Sequence, residues 1–231
     1  MTAQPIKPSE LFSDMAAYAD TGMLSAALGY DPAQLPEHLA GKLKKITSLA
    51  ISRIDINMIL GQTPVIAFDE SAIHARGMDV ASSKWAATVS RMDGQRTLHC
   101  FVLTLGPDFD DLVEQTGKTA LFEAYALDHL GSLLAEKAAD SLENRLRKAL
   151  GKDGSGLSRR FSPGYCDWDL AEGQKALFGF IRPATIGISM LARGAMQPSK
   201  TISGVMVSAK KVPLRMPCPD CEDTSCRHRR R

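Results

Sequence analysis

Apolar residues recur every three to four positions over 10–20. Leu11, Met15 and Tyr18 fall on one face there and Ser9 stands ahead as a cap, so the chain is expected to open on a short helix. Asp31-Pro32 joins a side chain that caps free N–H groups to a proline suited to a first helical turn. A helix restarting at Pro36 would then carry Leu39, Leu43 and Ile46 on its apolar face. Over 51–67 the apolar positions fit both periods, and helix and strand stay open. The run 98–105 is clearer: Cys100, Phe101, Val102, Leu103 and Thr104 form a strand signal closed by Gly106-Pro107. The longest helical pattern covers 108–150, with a break at Gly117 and an apolar stripe of Leu121, Tyr125, Leu130, Leu133, Leu134, Leu142 and Leu146. A glycine-rich connector over 151–156 follows. Asp169 with Glu172 three positions on starts a helix through Phe180. Short strands are expected over 186–190 and 201–207, flanking a loop that holds Pro198. With no regular βαβα alternation, the pattern predicts an α+β fold: a mixed fold with a long central helical region and an antiparallel sheet.

Composition narrows the class. At 231 residues, 44% hydrophobic and 23% charged, the chain is long enough to bury a core without disulfide staples. No run of 18 apolar residues occurs, the best candidate at 176–196 being broken by Arg182, Pro183 and Arg193, so no membrane partner is expected. The first residues lack a basic stretch followed by an apolar one, which predicts no signal peptide and a cytoplasmic location. Basic and acidic side chains number 28 and 26, but Arg227, Arg229, Arg230 and Arg231 account for four of the basic ones. The body is therefore slightly acidic, and nucleic acid is not an expected partner. The five cysteines are an odd count, and Cys218, Cys221 and Cys226 all fall in the tail. That usage fits a reducing compartment and cysteines employed as ligands.

Two segments carry candidate chemistry. In Arg160-Phe161-Ser162-Pro163-Gly164-Tyr165-Cys166-Asp167-Trp168 the Pro-Gly pair forces a turn, and Gly164 lets a ligand approach the backbone. Arg160 offers a planar fork for a carboxylate, and Tyr165 or Trp168 a stacking surface. The segment reads either as a site for a zwitterionic, aromatic-containing small molecule or as a surface turn with an aromatic plug. In the tail, Cys218 and Cys221 stand three apart with Cys226 five further on, a spacing that lets thiolates share one metal. A fourth ligand would come from Cys166, His228 or outside the chain, and zinc and an iron–sulfur cluster both suit such a site. A redox-labile tail is the plainer alternative.

Other signals have simpler explanations. His74-Ala75-Arg76-Gly77 matches part of the cobalt-ligating Asp-x-His-x-x-Gly of corrinoid modules, but Ala72 occupies the Asp position and nothing else of that module follows. His99 and Cys100 are expected in the core. Asp108, Asp110 and Asp111 are expected as helix N-terminal charges, and Lys210 and Lys211 as a solvated run.

Arg-x-x-Pro-Gly-Tyr at 160–165, a helix ending in Ala176-Leu177-Phe178, then Ile186-Gly187-Ile188 and Ala195-Met196-Gln197-Pro198-Ser199-Lys200-Thr201-Ile202-Ser203-Gly204 together resemble the activation domain of vitamin B12-dependent methionine synthase. The nearest resemblance is to free-standing versions with a C-terminal cysteine motif. Thr104-Leu105-Gly106-Pro107 and 126–132 fit the same pattern, and the likeness covers roughly 95–208. It implies an activation-domain core over 95–212, preceded by a helical or mixed part over 1–94 and followed by a cysteine- and arginine-rich tail over 213–231. It also implies S-adenosylmethionine binding: Arg160 on the methionine carboxylate, the backbone near Ser162 and Gly164 touching the ligand, and Tyr165 lining the site. Three departures stand out: the family has an acidic residue where Ser132 falls, a Tyr pair after the last strand, and Pro-Ala-Cys-Pro where this chain has Cys166-Asp167-Trp168-Asp169.

The resemblance further implies a role in reductive methylation and reactivation of the cobalamin of a separate partner. That partner is a corrinoid protein or cobalamin-dependent methyltransferase, served by an electron donor. Because the free-standing versions with Cys after Gly-Tyr share the tail motif, Cys166 joins Cys218, Cys221 and Cys226 as the expected metal set. A non-enzymatic metal-binding accessory or electron-transfer protein of such a complex is the alternative reading.

Overall fold

The structure, a computed structural model, describes residues 7–213. It begins with α1 (Pro8–Tyr18), α2 (Thr21–Ala27) and α3 (Glu37–Ile51). Lys7 rather than Ser9 is the cap residue of α1, and its N–H donates to the Glu10 carboxylate at 3.0 Å. Asp31 caps only a single 3-10 turn (Pro32–Gln34), and Pro36 stands just ahead of α3, whose Leu43 and Ile46 are buried. The ambiguous 51–67 stretch holds both structures in succession: α3 ends at Ile51 and β1 (Asn57–Phe68) follows.

A hairpin of β2 (Ile73–Ala75) and β3 (Met78–Val80) leads to α4 (Ser83–Ser90) and β4 (Thr97–Thr104). The long helical pattern is two helices, α5 (Pro107–Gly117) and α6 (Leu121–Gly151), broken where the sequence predicts it. Then come β5 (Gly156–Leu157), α7 (Leu170–Ile181), the small antiparallel pair β6 (Ser189–Met190) and β7 (Met196–Gln197), and β8 (Thr201–Ala209). The strand expected over 186–190 is reduced to β6, because a 3-10 turn (Pro183–Ile186) and the left-handed Gly187 (φ 76°) occupy its first half.

The main sheet is antiparallel with strand order β3-β2-β1-β4-β8-β5. β4 is central: Cys100 pairs with Gly61 on one side and Val205 on the other. Alternation sends its side chains to two cores. Phe101 and Leu103 join Leu11, Leu43, Leu130, Leu134 and Met206 beneath α1, α3 and α6. Leu98, Cys100 and Val102 join Trp85, Phe161, Trp168, Leu177 and Val207 beneath α4 and α7. The fold is therefore α+β, with the long α6 against one face of a curled antiparallel sheet. Leu121 and Tyr125, part of the expected apolar stripe, are 80% and 56% exposed. The buried face at that end of α6 runs instead through Ala126, Leu130 and Leu134, on the other side of the helix. Among the described residues no helix is long and apolar enough to cross a membrane.

Candidate functional site

Residues 156–161 run along β8 as a short edge. β5 pairs with Ser208 and Ala209, and Phe161 exchanges two backbone hydrogen bonds of 2.8 Å with Val205. This pairing sets the position at which the chain turns at Pro163-Gly164. The turn is closed by Gly164 N–H donating to the Trp168 carbonyl (2.8 Å) and Trp168 N–H donating to the Tyr165 carbonyl (3.0 Å). Gly164 holds φ 86°, a conformation that favours glycine, and Cys166 follows at φ 51°. Ser162 donates its hydroxyl to the Ser203 carbonyl at 2.8 Å. Gly204 lets these segments close up, since a Cβ there would meet Phe161 O and Ser162 Oγ at 3.0 Å.

Beneath the turn, Phe161 lies between two indoles, stacked on Trp85 at 5.2 Å and on Trp168 at 5.6 Å. The turn therefore does carry an aromatic plug, and Trp168 is that plug at 3% exposure rather than a surface for a ligand. Tyr165 is half-buried against the same core, while Gly164 and Cys166 are exposed.

Arg160 is 4% exposed and its guanidinium is engaged. Nη1 donates to Asp140 Oδ1 and Nη2 to Glu136 Oε2, each at 2.6 Å, with Glu143 Oε2 3.5 Å from Nη1. Burial disfavours its charge, yet the hydrogen bonds and charges of Asp140 and Glu136 outweigh that and raise its pKa above the ordinary value. Glu143, 1% exposed, is itself held by Arg147 (2.8 Å), Arg159 (3.3 Å) and the Arg160 backbone N–H (3.2 Å). Glu136, Asp140 and Glu143 are functional candidates the sequence reading passed over. Their i, i+4, i+7 spacing on α6, with Arg147 on the same helix and Arg159 and Arg160 shortly after it in the chain, is the signal that points to them.

Lys200, whose side chain is 10% exposed, donates to Asp128 Oδ1 at 2.6 Å and to Ser132 Oγ at 3.1 Å. The N-terminal acids of α5 are helix charges as expected, and Asp110 also accepts from Ser199 N and Oγ (2.6 and 2.8 Å). His99 and Cys100 are core residues, and burial pushes the Cys100 thiol up to about 12.

Of the expected metal set, Cys166 is described and exposed beside Tyr165, whereas Cys218, Cys221 and Cys226 lie outside the described residues, as does His228. Among the described residues, no group of three His, Cys, Asp or Glu side chains is arranged to hold a metal ion.

No protein-family model matches the chain, and no curated protein matches it. Among solved structures the chain is similar to the crystal structure of the MetH reactivation domain bound to AdoHcy. The TM-score is 0.62 at 13% identity, over 89% of this chain and 78% of that chain. At that identity the likeness establishes the fold, and it agrees with the resemblance carried by the motifs over 95–208.

Proposed function

We propose that this chain binds S-adenosylmethionine at the 160–165 turn and supports reductive methylation of the cobalamin of a separate corrinoid-dependent methyltransferase, such as methionine synthase. The observation that carries the reading is the reactivation-domain fold with the Arg-x-x-Pro-Gly-Tyr turn pinned to β8 and open at Gly164. Gly164 and the backbone near Ser162 would meet the ligand, and Tyr165 would form one wall. Arg160, already bridging Glu136 and Asp140, would take the methionine carboxylate by sharing its fork with it. Glu136 and Asp140, about half exposed, offer negative charge to the ammonium and sulfonium of the same ligand.

The chemistry asks for no protein acid or base. The partner's cobalt, after one-electron reduction, takes the methyl group from the sulfonium and S-adenosylhomocysteine is released. The chain's own contribution is binding and orientation. The same proposal extends to Cys166 with Cys218, Cys221 and Cys226 as a four-thiolate site for zinc or an iron–sulfur cluster, the latter suited to passing on the electron.

The deciding experiment follows the absorption spectrum of a corrinoid protein held in its inactive cob(II)alamin state. The methyl–cobalt bands are expected to return only when this chain, S-adenosylmethionine and an electron donor are all present. Absence of calorimetric binding at millimolar S-adenosylmethionine, with and without the corrinoid partner, overturns the reading.

A further inference from the structure

On the α6 side of the sheet the helical layer stops at the end of α6, and beside Leu150 the structure has a cavity of about 400 Å³. Gln62, Gln95, Thr97, His99 and Ser208 line it, and none of its lining side chains carries a charge. His99 is 3% exposed, and by the alternation of β4 it points to the same side as Phe101 and Leu103. Its Nε2 lies 2.8 Å from Ser208 Oγ. Burial pulls its pKa down to about 4, so the imidazole is neutral near neutral pH and offers one donor and one acceptor. Gln62 and Gln95 are exposed at the rim, each with a carboxamide that donates and accepts.

A charged ligand entering this cavity would lose hydration and find no counter-ion. A compact uncharged ligand with adjacent donor and acceptor would exchange water for matched partners and pack against Leu150 and Pro64. We infer that the cavity beside Leu150, lined by His99, Ser208, Gln62 and Gln95, is a binding site for an uncharged heterocycle bearing an amide or lactam edge. It shares no residue with the 160–165 turn and stands independently of that assignment.

The test is a titration of the full chain near neutral pH followed by ¹H–¹⁵N amide spectra, with nicotinamide and uracil as probes and their anionic counterparts nicotinate and orotate as controls. The neutral probes are expected to shift the amides of Gln62, Thr97, His99 and Ser208 saturably, and the anions to leave them in place. Gln62→Leu and Gln95→Leu, both at exposed positions, should each weaken that binding about tenfold, the loss of one hydrogen-bonded partner, without altering thermal unfolding. His99→Phe should abolish it. No shift with either neutral probe, an equal response to nicotinate, or unchanged binding in Gln62→Leu overturns the inference.

Discussion

Asp167 and Ser83, 84 positions apart in the chain, are joined twice: the Asp167 carboxylate accepts from Ser83 N at 2.8 Å and from Ser83 Oγ at 2.7 Å. It also accepts from the Lys84 N–H at 3.2 Å and from the Ser82 hydroxyl, so a residue of the candidate ligand turn caps the first turn of α4. Burial works against its charge, but the hydrogen bonds from Ser82, Ser83 and Lys84 hold its carboxyl below the usual range. Asp167→Ala should therefore cost about 1–2 kcal/mol, the value of a good N-cap, and also weaken S-adenosylmethionine binding by loosening the turn. Urea unfolding and calorimetry on one variant check both. A depressed carboxylate contributes above its unfolded pKa of 3.8 and loses that contribution as pH falls through the folded value, so wild type and variant should converge in acid.

Arg160→Ala removes the cation that Glu136 and Asp140 share and leaves the buried Glu143 with less compensation. Loss of one partner from a buried pair costs about 3–5 kcal/mol, and a smaller destabilisation is expected here because Arg147 and Arg159 remain on Glu143. Arg160→Lys should restore part of the stability but not the two-pronged geometry. If Arg160 holds the ligand, the Lys variant will fold and still bind S-adenosylmethionine more weakly. Equal affinity of a folded Arg160→Lys variant would assign Arg160 to architecture alone.

Gly164→Ala places a Cβ at φ 86°. The left-handed backbone should cost about 1–2 kcal/mol, read from the shift in denaturant midpoint. Since the turn closes through Gly164 N–H and the Trp168 carbonyl, ligand affinity should fall as well.

Two histidines should give opposite pH signatures. His99 is depressed from 6.5 to about 4 by burial, so the unfolded chain takes a proton over that window and the folded one does not. Stability is full above 6.5 and declines toward pH 4, on the order of 3 kcal/mol in all. His74 lies 3.1 Å from Asp69 and 3.2 Å from Asp79, and the hydrogen bonds its imidazole donates to Asp69 and then to Asp79 raise its pKa. Its contribution is present below 6.5 and lost as pH rises through the folded value. Ring-proton titrations by NMR read both groups, and Asp79→Asn should move His74 back toward 6.5.

Metal content tests the cysteine proposal. Anaerobically purified protein should contain zinc, or iron and sulfide, and Cys221→Ser and Cys166→Ser should each lower it. Metal-free wild-type protein would leave the four-thiolate reading without support.

Local chemistry was sufficient for the elements that depend on neighbours in the chain: the β4 run, the break after Gly117, the Asp169 cap of α7 and the α+β class. Each rests on hydrogen bonds or periodicities that span a few residues. The turn at Gly164 was equally legible, because only a glycine accepts that backbone without strain. What the chain order hides is partnership. The i, i+4, i+7 carboxylates of α6 acquire meaning only when β5 pairs with β8 and brings Arg160 against them. Trp168 reads as a ligand platform until the sheet stacks it on Phe161 and Trp85, and Leu121 and Tyr125 read as core until the burial of Leu130 and Leu134 fixes the other face of α6. Sequence periodicity states that a face is apolar or charged; only the packed sheet decides what that face meets, because the energies of ion pairing and burial depend on distances set between residues remote in the chain.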